Sequence, residues 1–289
     1  MIDTLRRFGS AAVILIAAAL AAGSGAAAEP ARAARGTIAA LAFDASNGAL
    51  LEATTTGLYK SADEGRTWSP LALPASGRGH IAAVAAAAKG KGVLYVGGPG
   101  IGVLRSADAG RKWTARNKGL PSTEVVALST HAEQPDTVYA YVAKRGIFRS
   151  EDGGNHWKLM DAGPRDAIQR LVHSNMPGSM QTGWFFAATA KGVSRSMDCF
   201  CGWRDAGALA RPIRAVTYDP KGPQRIYAAS DDGLYLSVNG GEQWERINAP
   251  APDITALVAT PSGVLYAAAA SGVLFRSTDG ARNWAPVDA

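Results

Sequence analysis

The chain has 289 residues, 47% of them hydrophobic, and a formal net charge of +6 from 30 Lys and Arg against 24 Asp and Glu. A chain of this length buries about 75% of the surface its unfolded form exposes, so a hydrophobic core can hold it together. Its two cysteines cannot supply a disulfide framework, and a mild basic excess without Lys/Arg runs excludes a nucleic-acid footprint.

At the N-terminus, Arg6 and Arg7 precede an apolar run from Ala11 to Ala22, and small residues lead to Ala26, Ala27 and Ala28 before Glu29 and Pro30. This is the layout of a cleavable secretory signal over residues 1–28. The run is weakly apolar for a membrane span, being Ala-rich and broken by Gly23 and Gly25, so membrane contact is expected only through an uncleaved signal. Cleavage removes two arginines and one aspartate and leaves a mature charge of +5. A periplasmic or secreted protein is the expectation, with residues 29–36 as an N-terminal extension and 37–289 as one domain.

The domain repeats. The pattern Ser-x-Asp-x-Gly-x-x-Trp is complete at Ser61, Asp63, Gly65 and Trp68, at Ser106, Asp108, Gly110 and Trp113, and at Ser150, Asp152, Gly154 and Trp157. It returns with changes at Ser196, Asp198 and Trp203, at Ser237, Asn239, Gly241 and Trp244, and at Ser277, Asp279 and Trp284. Successive serines lie 45, 44, 46, 41 and 40 residues apart, a period that means stacked sheet modules.

Within each period, runs of four to eight Val, Ile, Leu, Ala and Tyr are bounded by Gly, Pro, Asn and Asp, with no helical periodicity. First strands are predicted near Ile38, Ile81, Glu124, Ala167, Ile213 and Asp253, and second strands near Leu50, Val93, Thr137, Trp184, Arg225 and Val264. A third strand leads into each motif and a fourth follows its Trp. Four short antiparallel strands per repeat make one blade, so the fold is an all-β, six-bladed propeller with the motif between strands three and four. In such a turn the Asp and Ser side chains accept from backbone amides, Gly takes a positive φ, and the Trp packs beneath the hairpin. Phe200 and Ala281, where Gly is expected, and Asn239 for Asp predict looser turns in the last three blades. No spare strand is left to clasp the first blade to the last.

These residues resemble the Asp-box, or bacterial neuraminidase repeat, of sialidases, sortilin-type receptors, xyloglucanase-like hydrolases and photosystem assembly factors of the Ycf48 type. The resemblance covers Gly36 to Ala289 and implies a structural role for the motif. It also implies that function resides on the opposite face, in the connections between blades and between strands two and three. That face is expected to collect Arg116, Lys118, Lys144, Arg145, Arg165, Arg170, Arg211 and Arg214, a basic rim for an anionic protein segment or glycan. A hydrolase would instead need paired carboxylates, for which Glu124, Asp231 and Asp232 are the candidates.

The arginine triad and Tyr nucleophile expected of a sialidase have no matching arrangement. His131 and His173, at the ends of first strands in adjacent blades, read as strand-end residues like Asp44 and Asp219, and no metal or cofactor is expected. For Cys199 and Cys201, free thiols, a local disulfide and a link to a partner all remain open. The sequence reading is an exported, monomeric, non-catalytic binding or assembly scaffold of the cell envelope. The alternative is a glycoside hydrolase of sialidase-like or xyloglucanase-like type.

Overall fold

The computed structural model describes residues 35–77, 79–179, 183–197, 199–200 and 202–287. The signal segment, most of the N-terminal extension, Asp198 and Cys201 lie outside them. Blade one holds β1 (Ile38–Asp44), β2 (Ala49–Thr54), β3 (Leu58–Ser61) and β4 (Ser69–Leu71); blade two holds β5 (Ala83–Ala86), β6 (Leu94–Gly98), β7 (Gly102–Ser106) and β8 (Thr114–Ala115). Blade three holds β9 (Val125–Thr130), β10 (Val138–Val142), β11 (Gly146–Ser150) and β12 (Lys158–Asp161); blade four holds β13 (Ile168–Ser174), β14 (Trp184–Thr189), β15 (Gly192–Met197) and β16 (Arg204–Asp205). Blade five holds β17 (Ile213–Asp219), β18 (Gly222–Ser230), β19 (Gly233–Ser237) and β20 (Glu245–Ile247); blade six holds β21 (Ile254–Ala259), β22 (Leu265–Ala269), β23 (Leu274–Ser277) and β24 (Ala285–Pro286).

Each blade is a four-stranded antiparallel sheet of consecutive strands, and the innermost strands pack against one another around the ring. The six-bladed expectation therefore holds. Second strands are buried along their length because both faces of each blade meet a neighbouring blade, as in β2, β6, β10 and β22. Outer strands are short and exposed, and Pro70 and Pro286 sit there, where a missing amide donor is tolerated.

The Asp-box turn is a closed hydrogen-bond circuit. In blade one the Ser61 hydroxyl donates to Asp63 Oδ1 at 2.7 Å and accepts from the buried Gly65 amide at 2.8 Å, while the Thr67 amide donates to the same carboxylate at 2.9 Å. Blades five and six keep this circuit, contrary to the expectation of looser turns. The Asn239 amide oxygen accepts the same two bonds as a carboxylate, from Ser237 at 2.9 Å and Gln243 at 3.0 Å, and the Ala281 amide still donates to Ser277 at 3.0 Å. Ala281 and Phe200 adopt φ of 70° and 54°, inside the left-handed well that a side chain can occupy. Blade four does differ, since Ser196 donates to the Gly202 carbonyl at 3.0 Å. Cys199 is disulfide-bonded, which removes the free-thiol possibility for that residue.

Among the described residues no strand is shared between the first and last blades. Blade six meets blade one through Leu41 and Leu50 packed with Tyr266 and Leu274, and Thr255 donates to the Ile38 carbonyl at 2.7 Å.

Candidate functional site

The six innermost strands enclose a central cavity of about 390 Å³. Strand pairing places Ala40, Ala83, Ala127, Arg170, Ala215 and Ala256 at one register position around it. The next position is a ring of Leu41, Val84, Leu128, Leu171, Val216 and Leu257, each 6–8% exposed. Two residues further along lie Phe43, Ala86, Thr130, His173, Tyr218 and Ala259, and beyond them the lining passes into the turns between strands one and two.

Those turns share a face with the Asp-boxes. The Gly153 amide of one Asp-box donates to Asp136 in a strand one to two turn at 2.9 Å, and the Gly240 amide donates to Gln224 at 2.8 Å. The cavity therefore opens on the Asp-box face, and its lining includes none of the seven basic residues Arg116, Lys118, Lys144, Arg145, Arg165, Arg211 and Arg214. Across its other end lies Arg170, which the sequence reading places on the basic rim. This side chain crosses from blade four to blade one, the opposite blade of the ring, and donates to the Ala39 carbonyl at 2.6 Å and to the Gln169 carbonyl at 2.7 Å. Burial pushes its guanidinium pKa down.

At the opening, Lys89 of blade two pairs with Glu133 of blade three. Burial pushes the Tyr218 hydroxyl up to about 12, so it is neutral at ordinary pH. The rings of His131 and His173 lie 4.1 Å apart and continue into Tyr139 and Phe185. His131 Nδ1 accepts from the Glu133 and Gln134 amides at 3.0 Å, the duty that Asp44 performs for Ser46 and Asp219 for Lys221. The reading of His131 as a strand-end residue follows from those bonds, whereas His173 Nδ1 accepts from the Ala132 amide of blade three at 3.1 Å. Among the described residues no group of three or more His, Cys, Asp or Glu is placed to hold a metal ion.

On the opposite face the acidic and basic candidates meet each other. In the strand two to three turn of blade five, Asp231 pairs with Arg214 at 2.6 Å and Asp232 pairs with Arg211, while the Tyr235 hydroxyl donates to Asp232 at 2.8 Å. The Ser230 hydroxyl, then Tyr235 and Arg211, hold the Asp232 carboxyl below the usual range, the reverse of what a general acid requires. Glu124 stands at the entry of blade three, two blades away. Lys144 and Arg145 occupy the strand two to three turn of blade three and Arg165 the connection to blade four, all exposed. Arg116 and Lys118 instead lie on the seam between blades two and three, bonding Asn155 at 2.7 Å and His156 at 3.0 Å in the next Asp-box turn. The cavity was missed because its one signal, a lone Arg at a position that is Ala in five other blades, needs the strand register to be seen.

The chain is 25% identical over 281 residues to the photosystem II stability/assembly factor HCF136, chloroplastic, of Arabidopsis thaliana, covering 86% of this chain and 66% of that protein. It thus spans just under two thirds of that relative. Among solved structures, YCF48 bound to D1 peptide superposes with a TM-score of 0.58 at 18% identity, over 88% of this chain and 82% of that one. A GH74 xyloglucanase from Xanthomonas campestris superposes with a TM-score of 0.65 at 18% identity, over 87% of this chain but 45% of the enzyme. At such identities both likenesses show the propeller fold alone. The family described as photosynthesis system II assembly factor YCF48 matches residues 33–288, the whole ring of blades, and this chain belongs to that family.

Proposed function

We propose that this protein is an exported, non-catalytic assembly factor that holds a segment of a partner protein in the cell envelope. Membership of the YCF48 family over residues 33–288 carries the reading. A family neighbour bound to D1 peptide supports a protein segment as the class of ligand. The signal-like residues 1–28 support export. Ion pairing of Asp231 and Asp232 with Arg214 and Arg211 favours a scaffold over a hydrolase, since both carboxylates are tied to guanidinium groups.

Lys144, Arg145 and Arg165 are the binding candidates, because none of the ion pairs among the described residues includes them. Their charges are therefore available to an acidic partner segment. The test is photo-crosslinking in cells from position 144, with a probe at position 112 on the Asp-box face as control. The expected result is a discrete envelope-protein adduct from 144 only, reduced about tenfold by reversing Arg145 and Arg165 to Glu, as for loss of charged contacts. Equal adducts from both positions, or no effect of reversal, would overturn the basic-face assignment. Release of oligosaccharide from xyloglucan by the purified protein would overturn the non-catalytic reading.

A further inference from the structure

A guanidinium sits at one end of a channel whose middle is a ring of six aliphatic side chains and whose opening carries polar ones, among them Thr130, His173 and Tyr218. Five blades place Ala at the floor position and only blade four places Arg, so five small side chains make room for one long cation. Two of its five N–H donors go to the Gln169 and Ala39 carbonyls. None of the ion pairs among the described residues includes Arg170. Taking a cation even partly out of water without an anion is costly, and Arg170 is only partly exposed, so a carboxylate arriving at that floor meets a partner that has already lost much of its water. Arg and carboxylate then bond through the planar fork, shorter and stronger than neutral pairs.

The rest of the channel sets the remainder of the ligand. From the Ala40 floor to Ala45 at the opening is five residues of extended strand, about 16 Å. The walls at mid-depth are the Leu41, Val84, Leu128, Leu171, Val216 and Leu257 ring, which offers no hydrogen-bonding group to a tail. A volume of about 390 Å³ is within the usual size of a small-molecule site. Phe43 and Tyr218 add aromatic surface near the opening.

We propose that this channel binds an amphiphilic monocarboxylate, with its head on Arg170 and its unbranched apolar tail running along the aliphatic ring to the Asp-box face. The site is separate from the basic face and does not rest on the scaffold reading. A purely structural Arg170, acting as a strut between blades four and one, would show no preference for an acid head.

The test is calorimetric titration of the intact protein with dodecanoate, dodecanol, dodecyltrimethylammonium and acetate, each below its micelle concentration. Dodecanoate is expected to bind about tenfold or more tighter than dodecanol, the scale of a charge-assisted hydrogen bond, while the trimethylammonium and acetate probes give no measurable heat. Arg170→Met should bring dodecanoate down to the affinity of dodecanol and leave dodecanol unchanged. Ala259→Trp, at the opening and away from the floor, should block both and keeps the test decisive if Arg170→Met does not fold. Equal binding of acid and alcohol by the parent protein, no binding of dodecanoate, or undiminished dodecanoate binding by either variant would overturn the proposal.

Discussion

At the Asp-box the serine hydroxyl is at once donor and acceptor, and that dual duty sets what its loss does. Ser150 donates to Asp152 Oδ1 at 2.8 Å and accepts from the buried Gly154 amide at 2.7 Å. Ser150→Ala leaves that amide without its acceptor, which should destabilise the protein by about 1–3 kcal/mol in urea unfolding. A change below about 0.5 kcal/mol would mean that water replaces the hydroxyl. The carboxylates of the same turns predict an acid response. Thr67 and Ser61 hold Asp63 at about 2, and Asn283 and Ser277 hold Asp279 at about 2. A carboxylate whose folded pKa lies below its unfolded value of 3.8 stabilises the fold above that value, and the contribution fades as pH falls through the folded one. Stability should therefore drop between about pH 4 and pH 2. Asp63→Asn keeps the acceptor seen in Asn239 of blade five but not the charge, so it should flatten part of that slope by losing stability above about pH 4 while leaving that near pH 2 almost unchanged. An unchanged slope would assign the acid response to other groups.

One element, the turn plus its following Trp, does more than finish a hairpin. The Trp157 indole N–H donates to the Arg116 carbonyl of the preceding blade at 2.7 Å, Trp244 to Ala206 at 2.7 Å and Trp284 to Asn248 at 3.2 Å, whereas Trp68 and Trp113 bond the Gly carbonyl of their own turn. Asp-box turns in the later blades are thus seams between blades. The turn Gly of blades two, three and five lies against the outer edge of the previous blade, Gly110 on Leu71, Gly154 on Arg116 and Gly241 on Ala206. Gly241 has φ of 84°, and an added Cβ would meet the Ala206 Cβ at 2.8 Å, a contact that only backbone movement can relieve. Gly241→Ala should cost about 1–3 kcal/mol, combining left-handed strain with the clash. A loss below about 0.5 kcal/mol in denaturant melts would show the seam to be pliable. These turns were legible in the sequence because Ser and Asp bond neighbours within four positions, and local chemistry survives translation into a one-dimensional pattern. Arg170 was misassigned to the rim because its partner, the Ala39 carbonyl, is 131 residues away and is reached only once six blades have closed. The neutralisation of Asp231 and Asp232 was hidden similarly, since Arg214 lies on the first strand of blade five and Arg211 in the connection before it, 17 and 21 residues from their partners.

Six sheets of consecutive strands leave the whole ring dependent on one side-chain seam. Every other blade junction is spanned by continuous chain, but among the described residues blade six meets blade one through packing and a few polar contacts. The pair Arg276 to Glu64, at 3.3 Å and with Glu64 exposed and Arg276 partly so, adds little. The seam is held instead by Leu50 and Leu274, both essentially buried, and by Gly65, where even one added carbon would meet Leu274 at 2.7 Å. Leu274→Ala should cost about 2–5 kcal/mol, as for other buried leucines, through lost burial and the cavity left behind. Its signature should be local as well as global. The junction lacks a covalent path, so native-state hydrogen exchange should accelerate in β1–β3 and β21–β23 while β9–β11 keep their protection. Ile147→Ala, the equivalent cut in blade three where chain connects both neighbours, should destabilise without that asymmetry. Uniform acceleration around the ring in Leu274→Ala would mean that the blades open only together, and that the seam is no weaker than the junctions the chain itself crosses.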